Sequence, residues 1–114
     1  MMIGVCLRGY SPMDLFFYAG FTGVDNKGVL PDDPESQIRN IFEKIGFVLR
    51  DAGLGYESLV EMTSYHVDLR DHLNTFKSIR SEFVIEPYPA WTAIEVAGFV
   101  REKAIVEIRV VAKV

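Results

Sequence analysis

A few side chains in this 114-residue chain are of types that could do chemistry. Two carboxylates, Glu95 and Glu107, sit among apolar neighbours in the segments "WTAIEVAGF" and "AIVEIRVVA". Trp91 is the only tryptophan. Its indole offers one N–H and a broad apolar face, suited to a planar, aromatic or cationic ligand, or to packing in a subunit interface. Cys6 is the only cysteine, so no intrachain disulfide can form. It has no evident neighbour to stabilise a thiolate and reads as an inert thiol rather than a nucleophile. His66 and His72 lie six apart across a strand-to-helix junction, without the histidine–carboxylate spacing of a metal site. His72, near a helix start, is expected in solvent.

Composition narrows the setting. Apolar residues make up 49% and charged residues 25%, the balance of an ordinary globular domain, and the length suits a single one spanning 1–114. The net charge is −4 and no Lys/Arg run stands out, which argues against duplex-DNA binding through a basic face. The start "MMIGVCLRGYSP" lacks the basic lead and long apolar stretch of a secretory leader. No window approaches the roughly 20 apolar residues of a membrane span. With a single cysteine, this predicts a soluble cytoplasmic protein with no membrane partner.

The elements that must position these residues follow from pattern. "LFFYAGFTG" reads as a buried strand and "VDNKGVLPDD" as a loop. Asp33 caps a helix with Pro34 in its first turn. Ile38, Ile41, Phe42, Ile45, Val48, Leu49 and Ala52 give that helix one apolar face, and Gly53 and Gly55 end it. "LVEMTSYHVDL" is a strand, a second helix spans about Asp71 to Phe83, and two closing strands are expected to pair antiparallel through a charged turn at "REK". The order ββαβαββ predicts an α+β layer with both helices on one sheet face. Period 2 puts Trp91, Ala93 and Glu95 on one side of their strand and Thr92, Ile94 and Val96 on the other. The mixed set, with Glu107 and Arg109 of the last strand, is expected on the open face, where Glu95 could pair with Arg109.

These pieces, in this order and spacing, resemble the RidA/YjgF family, also labelled L-PSP endoribonuclease or translation inhibitor. The carrying stretches are "FFYAGFTGVDNKGVLPDD", "QIRNIFEKIGFVLRDAGLGYESLVEMTSYHVDLRDHLNTF", "YPAWTAIEVAGF" and "AIVEIRVVA", together running from about Leu15 to Ala112. The resemblance implies a chorismate-mutase-like fold, a homotrimer with small-molecule clefts between subunits, and hydrolysis of enamines or imines to a carbonyl product and ammonia. It implies no metal or organic cofactor. Residue by residue, it places a water-positioning glutamate at Glu107 and a turn glycine at Gly20, preceded by Ala19 where the family has serine. It places a cleft residue near the N-terminus at Cys6, with Tyr10 as the alternative. The arginine that follows Pro-Ala in deaminating members, and holds the substrate carboxylate, is Trp91 here.

That exchange removes a rigid two-pronged donor matched to a carboxylate. A small 2-imino acid is therefore expected to bind position 91 poorly. Three functions stay open at this point: an enamine or imine deaminase using Glu107, a non-catalytic metabolite-binding trimer with Trp91 in its cleft, and an RNA-cleaving enzyme. The last has no phosphate clamp or placed histidine base in this acidic sequence.

Overall fold

The computed structural model describes residues 3–8 and 14–114, with side chains from residue 15 onward. The strands are β1 (Ile3–Arg8), β2 (Asp14–Thr22), β3 (Leu59–His66), β4 (Ala90–Glu95) and β5 (Val106–Lys113). The helices are α1 (Pro34–Asp51) and α2 (Leu69–Phe83), with a 3-10 turn at Tyr56–Ser58. The ββαβαββ order and the α+β layer are as the pattern predicts.

Helix α1 begins where expected. The Asp33 carboxylate accepts from Ser36 N–H at 2.9 Å, and Pro34 fills a position whose missing N–H costs nothing. Its apolar stripe Ile38, Ile41, Phe42, Ile45 and Leu49 is fully buried, and Gly53 follows the end with φ 76°, a conformation open to glycine. Helix α2 starts two residues earlier than its pattern suggests and buries Phe76 and Ile79. The two helices meet through Phe42, whose ring lies 5.7 Å from Phe76 and 5.4 Å from Phe83. Outside that contact Arg39 grips Glu82 with two bonds of 3.0 and 2.9 Å. Both helices cover one face of the sheet, whose core side carries Phe21, Met62, Ile108 and Val110.

The sheet order is β1-β2-β5-β3-β4. This corrects the pairing expected for the last two strands. β4 pairs with β3 in parallel and forms an edge, while β5 lies antiparallel between β2 and β3. The segment between β4 and β5 is thus a crossing past the end of β3, held by Val67 N–H on Ile105 O at 2.9 Å and by Val96 N–H on His66 O at 2.8 Å. Gln37 secures it from below. This side chain is 1% exposed; it donates to the Pro31 and Lys103 carbonyls and accepts from Ile105 N–H.

Gly23 is what lets α1 approach β2. A Cβ there would lie 2.6 Å from the Gln37 Cα, a backbone atom that cannot swing aside. Gly23→Ala is therefore expected to destabilise the fold by about 1–3 kcal/mol through forced separation of helix and strand. The check is a lowered urea midpoint with an unchanged m-value.

Candidate functional site

The face of the sheet opposite the helices carries alternate residues of each strand. In β5 these are Glu107 and Arg109, both half-buried, between the fully buried Val106, Ile108 and Val110. The register sets Glu107 beside Thr22 of β2 on one side and Tyr65 of β3 on the other. Arg109 is paired with Thr63; its guanidinium reaches Glu61 at 3.6 Å and lies 5.9 Å from the centre of the Phe17 ring. Partly exposed, the Arg109–Glu61 contact is worth at most about 1 kcal/mol. It nevertheless leaves Glu107 with no ion pair among the described residues.

Ala19 and Gly20 interrupt β2 close to this carboxylate. The register with β5 slips between Tyr18 and Phe21, so these two residues form a bulge, and Gly20 has φ 81°. A side chain at that φ is strained, and a bulge turns backbone N–H groups away from the ladder. Gly20 lies two residues along β2 from Thr22, the partner of Glu107. Cys6, by contrast, pairs with Phe16 at the other end of β2, about 20 Å of strand away. Tyr10 lies outside the described residues.

Trp91 is not on this face. It pairs with the buried Met62, which pairs in turn with Val110, so the three share the helix-covered side. The indole stacks on Phe76 of α2 at 5.7 Å, the Arg80 guanidinium lies 4.5 Å from its ring centre, and its N–H donates to Ser64 Oγ at 2.9 Å. The alternation along β4 is as read from the sequence, but its two sides are exchanged: Thr92 and Ile94 are on the open face. The reason is that β4 is an edge strand at the margin of the core. Its covered side packs on α2, where Phe76 and Arg80 meet the indole. Glu95 fits the same logic. It does not pair with Arg109; its carboxylate accepts from Leu69 N–H at 3.2 Å. Asp68, at φ 53°, makes no side-chain cap of its own, so Glu95 brings a carboxylate to the N-terminus of α2 from a neighbouring strand.

His72 is also placed otherwise than expected. It is 6% exposed and His66 is 0% exposed. Their rings face each other under α2, with His66 Nδ1 3.4 Å from His72 Nε2. His66 Nε2 lies 2.7 Å from Ser64 Oγ, so Trp91, Ser64, His66 and His72 form one buried polar chain. Burial, reinforced by the facing His72, pushes the His66 pKa down to about 4. Burial lowers His72 too, against the opposing pull of Asp68 and Asp71.

The sequence reading missed Ser64 and Arg80 as partners of Trp91. Period 2 in "EMTSYH" already puts Met62, Ser64 and His66 on one side, and helical spacing from Phe76 reaches Arg80. What was lacking was the register that brings the two elements to Trp91. Among the described residues no three His, Cys, Asp or Glu side chains gather as a metal site, and no helix is long and apolar enough to cross a membrane. An open groove of about 980 Å³ runs between the loop at Asp25–Gly28 and α1, beside Asn40, Lys44 and Phe47, and holds none of the predicted site residues.

The family profile described as Endoribonuclease L-PSP matches residues 8–114. The RutC family protein YjgH of Escherichia coli K12 is 32% identical over 90 residues, covering 75% of this chain and 69% of that protein. The Rid-family protein YyfA of Yersinia pestis overlays with a TM-score of 0.79 at 25% identity, covering 95% of this chain and 90% of that one. RidA of an Antarctic Psychrobacter overlays with a TM-score of 0.83 at 22% identity, covering 96% and 85%. With a profile match over nearly its whole length and the same strand and helix arrangement, this chain belongs to the Endoribonuclease L-PSP family, the RidA/YjgF family of proteins.

Proposed function

We propose that this protein hydrolyses a small enamine or imine to a carbonyl compound and ammonia, in clefts completed by further copies of the chain in a homotrimer. The observation that carries the reading is Glu107: a half-buried carboxylate on the uncovered sheet face, unpaired among the described residues, while the nearby Arg109 is engaged with Glu61. Membership in the family and the neighbouring bulge at Ala19–Gly20 support it. Within one chain Glu107 lies on a surface rather than in a pocket, which is what a cleft roofed by another copy requires.

The reaction asks little of the protein. The Glu107 carboxylate takes a proton from a water as its oxygen adds to the C=N carbon and passes that proton to the nitrogen, giving a carbinolamine. As the C–N bond breaks, the same carboxylate takes the hydroxyl proton and hands it to the departing nitrogen, leaving C=O and ammonia. Backbone N–H groups at the bulge are suited to steady charge developing on the reacting group. A carboxylate base of this kind contributes about 10²–10⁴-fold when it is positioned. Trp91 is no longer needed as the ligand platform, because its N–H is taken by Ser64 and one side of its ring by Phe76.

The test is ammonia release from imines generated in situ by an amino-acid oxidase or a threonine dehydratase, compared with their spontaneous hydrolysis. Acceleration that depends on protein concentration is expected. A panel of aliphatic and aromatic imines that decays at the spontaneous rate throughout would remove the proposal.

A further inference from the structure

Of the lysines, Lys27, Lys77, Lys103 and Lys113 are exposed, and Lys44 alone is half-buried. It stands on α1, where it lines the open groove against the Asp25–Gly28 loop. Its Nζ donates to Thr22 O at 2.6 Å, its one hydrogen bond among the described residues. No carboxylate lies within ion-pair distance of it there, although Arg39 and Arg109 both have acidic partners. Asp25 is the carboxylate whose charge acts on it. That carboxylate is turned to its own loop, where Oδ1 accepts from Lys27 N–H at 2.8 Å and Val29 N–H at 2.9 Å. Glu43 and Arg50 of α1 and Lys27 of the loop line the same groove. So does Phe47, one turn beyond Lys44 and 62% exposed.

An ammonium carries three donors, and a single protein acceptor leaves two of them to water in a half-dry place. A neutral amine is better suited there: it gives one N–H to Thr22 O and keeps a lone pair for the groove. Burial accordingly lowers the Lys44 pKa, and the opposing pull of Asp25 does not cancel it. A desolvated lysine amine is the form that adds to a carbonyl carbon. An exposed phenylalanine by itself would mean little. Beside such an amine it supplies an apolar wall for the chain of the incoming compound. Half burial favours an aldehyde, whose carbonyl carbon carries one substituent, over a more crowded ketone.

We propose that Lys44 and Phe47 form a carbonyl-capturing site, in which a small aliphatic aldehyde is held as an imine on Lys44. The amine nitrogen adds to the carbonyl carbon. The two protons it sheds leave with the carbonyl oxygen as water, so a C=N bond replaces C=O and no oxidant or reductant is consumed. Protonated on nitrogen, the imine still has an N–H for Thr22 O. The site is separate from Glu107, which lies on the uncovered sheet face. It goes beyond the deaminase reading and does not rest on it, because an aldehyde from any source can react.

The test is competitive labelling of the intact protein with butanal and sodium cyanoborohydride, which reduces each imine to a stable amine, followed by peptide mass mapping. At pH 7 Lys44 is expected to be alkylated about threefold faster, or more, than any of the four exposed lysines. The ratio should shrink as pH approaches the ordinary lysine value of about 10.4, where every lysine is largely neutral. Phe47→Ser, a change on an exposed position, should slow butanal labelling of Lys44 and leave its labelling by formaldehyde, which has no chain to hold, unchanged. Lys44→Arg, which keeps a donor for Thr22 O, should abolish the preferred label and leave the other four lysines as they were. Equal labelling of all five lysines at pH 7, or Lys44 as the slowest of them, would overturn the proposal. A ratio that does not change with pH would remove the neutral amine as its cause, and an unaltered butanal rate in Phe47→Ser would remove the groove as the site.

Discussion

Glu107→Gln is expected to lower kcat for imine hydrolysis by about 10²–10⁴-fold while leaving KM and the unfolding midpoint close to wild type. The amide keeps the size of the side chain and its ability to hydrogen-bond a water, but cannot take up the proton that water must lose. The prediction is sharp because Glu107 makes no ion pair among the described residues, so the substitution breaks no salt bridge. Its neighbours in register, Thr22 and Tyr65, carry hydroxyls that can bond an amide as well as a carboxylate. Ammonia release at saturating imine measures the effect. An unchanged kcat would mean that Glu107 is only a solvated sheet residue. Loss of activity together with a lowered melting temperature would place its role in folding instead. Arg109→Gln is the control: it frees Glu61 on the same face and is expected to leave kcat within a few-fold.

The element order, the buried face of α1 and the helix start at Asp33 were legible because they depend on local chemistry: a capping carboxylate, a proline in the first turn, apolar residues at helical spacing. The strand alternation was legible for the same reason. Its assignment to a face was not. Which side of β4 meets the helices depends on β4 lying at the sheet edge in parallel with β3, a contact between residues such as Met62 and Trp91 that are far apart in sequence. Two closing strands joined by a ten-residue charged segment look like a hairpin, and only the position of β5 between β2 and β3 prevents it. Glu95 shows the cost of reading polarity as exposure to open solvent: a carboxylate in a strand was assigned to the open face when its partner is the N-terminus of α2.

The histidine pair yields the last prediction, in which buried charge sets a pH limit on the fold. His66 is enclosed by Ser64 on its own strand, by Phe76 edge-on at 4.7 Å and His72 from α2, with Trp91 of β4 joined through Ser64. Among the described residues no carboxylate contacts it; Asp68 and Asp71 act on His72 and oppose, without cancelling, the effect of burial there. Above pH 6.5 both the folded and the unfolded chain hold His66 neutral, and its titration contributes no pH dependence. As pH falls below 6.5 the unfolded chain binds a proton that the folded chain refuses until about pH 4. The unfolded state therefore holds more protons across this window, and stability must drop as pH falls. A folded-state pKa of about 4 against the ordinary 6.5 corresponds to about 3 kcal/mol lost by pH 4, with His72 adding in the same direction. Urea unfolding from pH 7.5 to 4.5 should show a midpoint that is flat above 6.5 and falls steadily below it. The window lies mostly above the range in which carboxylates titrate, so the slope belongs to the histidines. His66→Gln, whose amide can still meet Ser64, should flatten it by up to about 1.4 kcal/mol per pH unit, and His72→Gln serves if that variant does not fold. A wild-type midpoint that holds level down to pH 5 would mean that the folded chain accepts the proton.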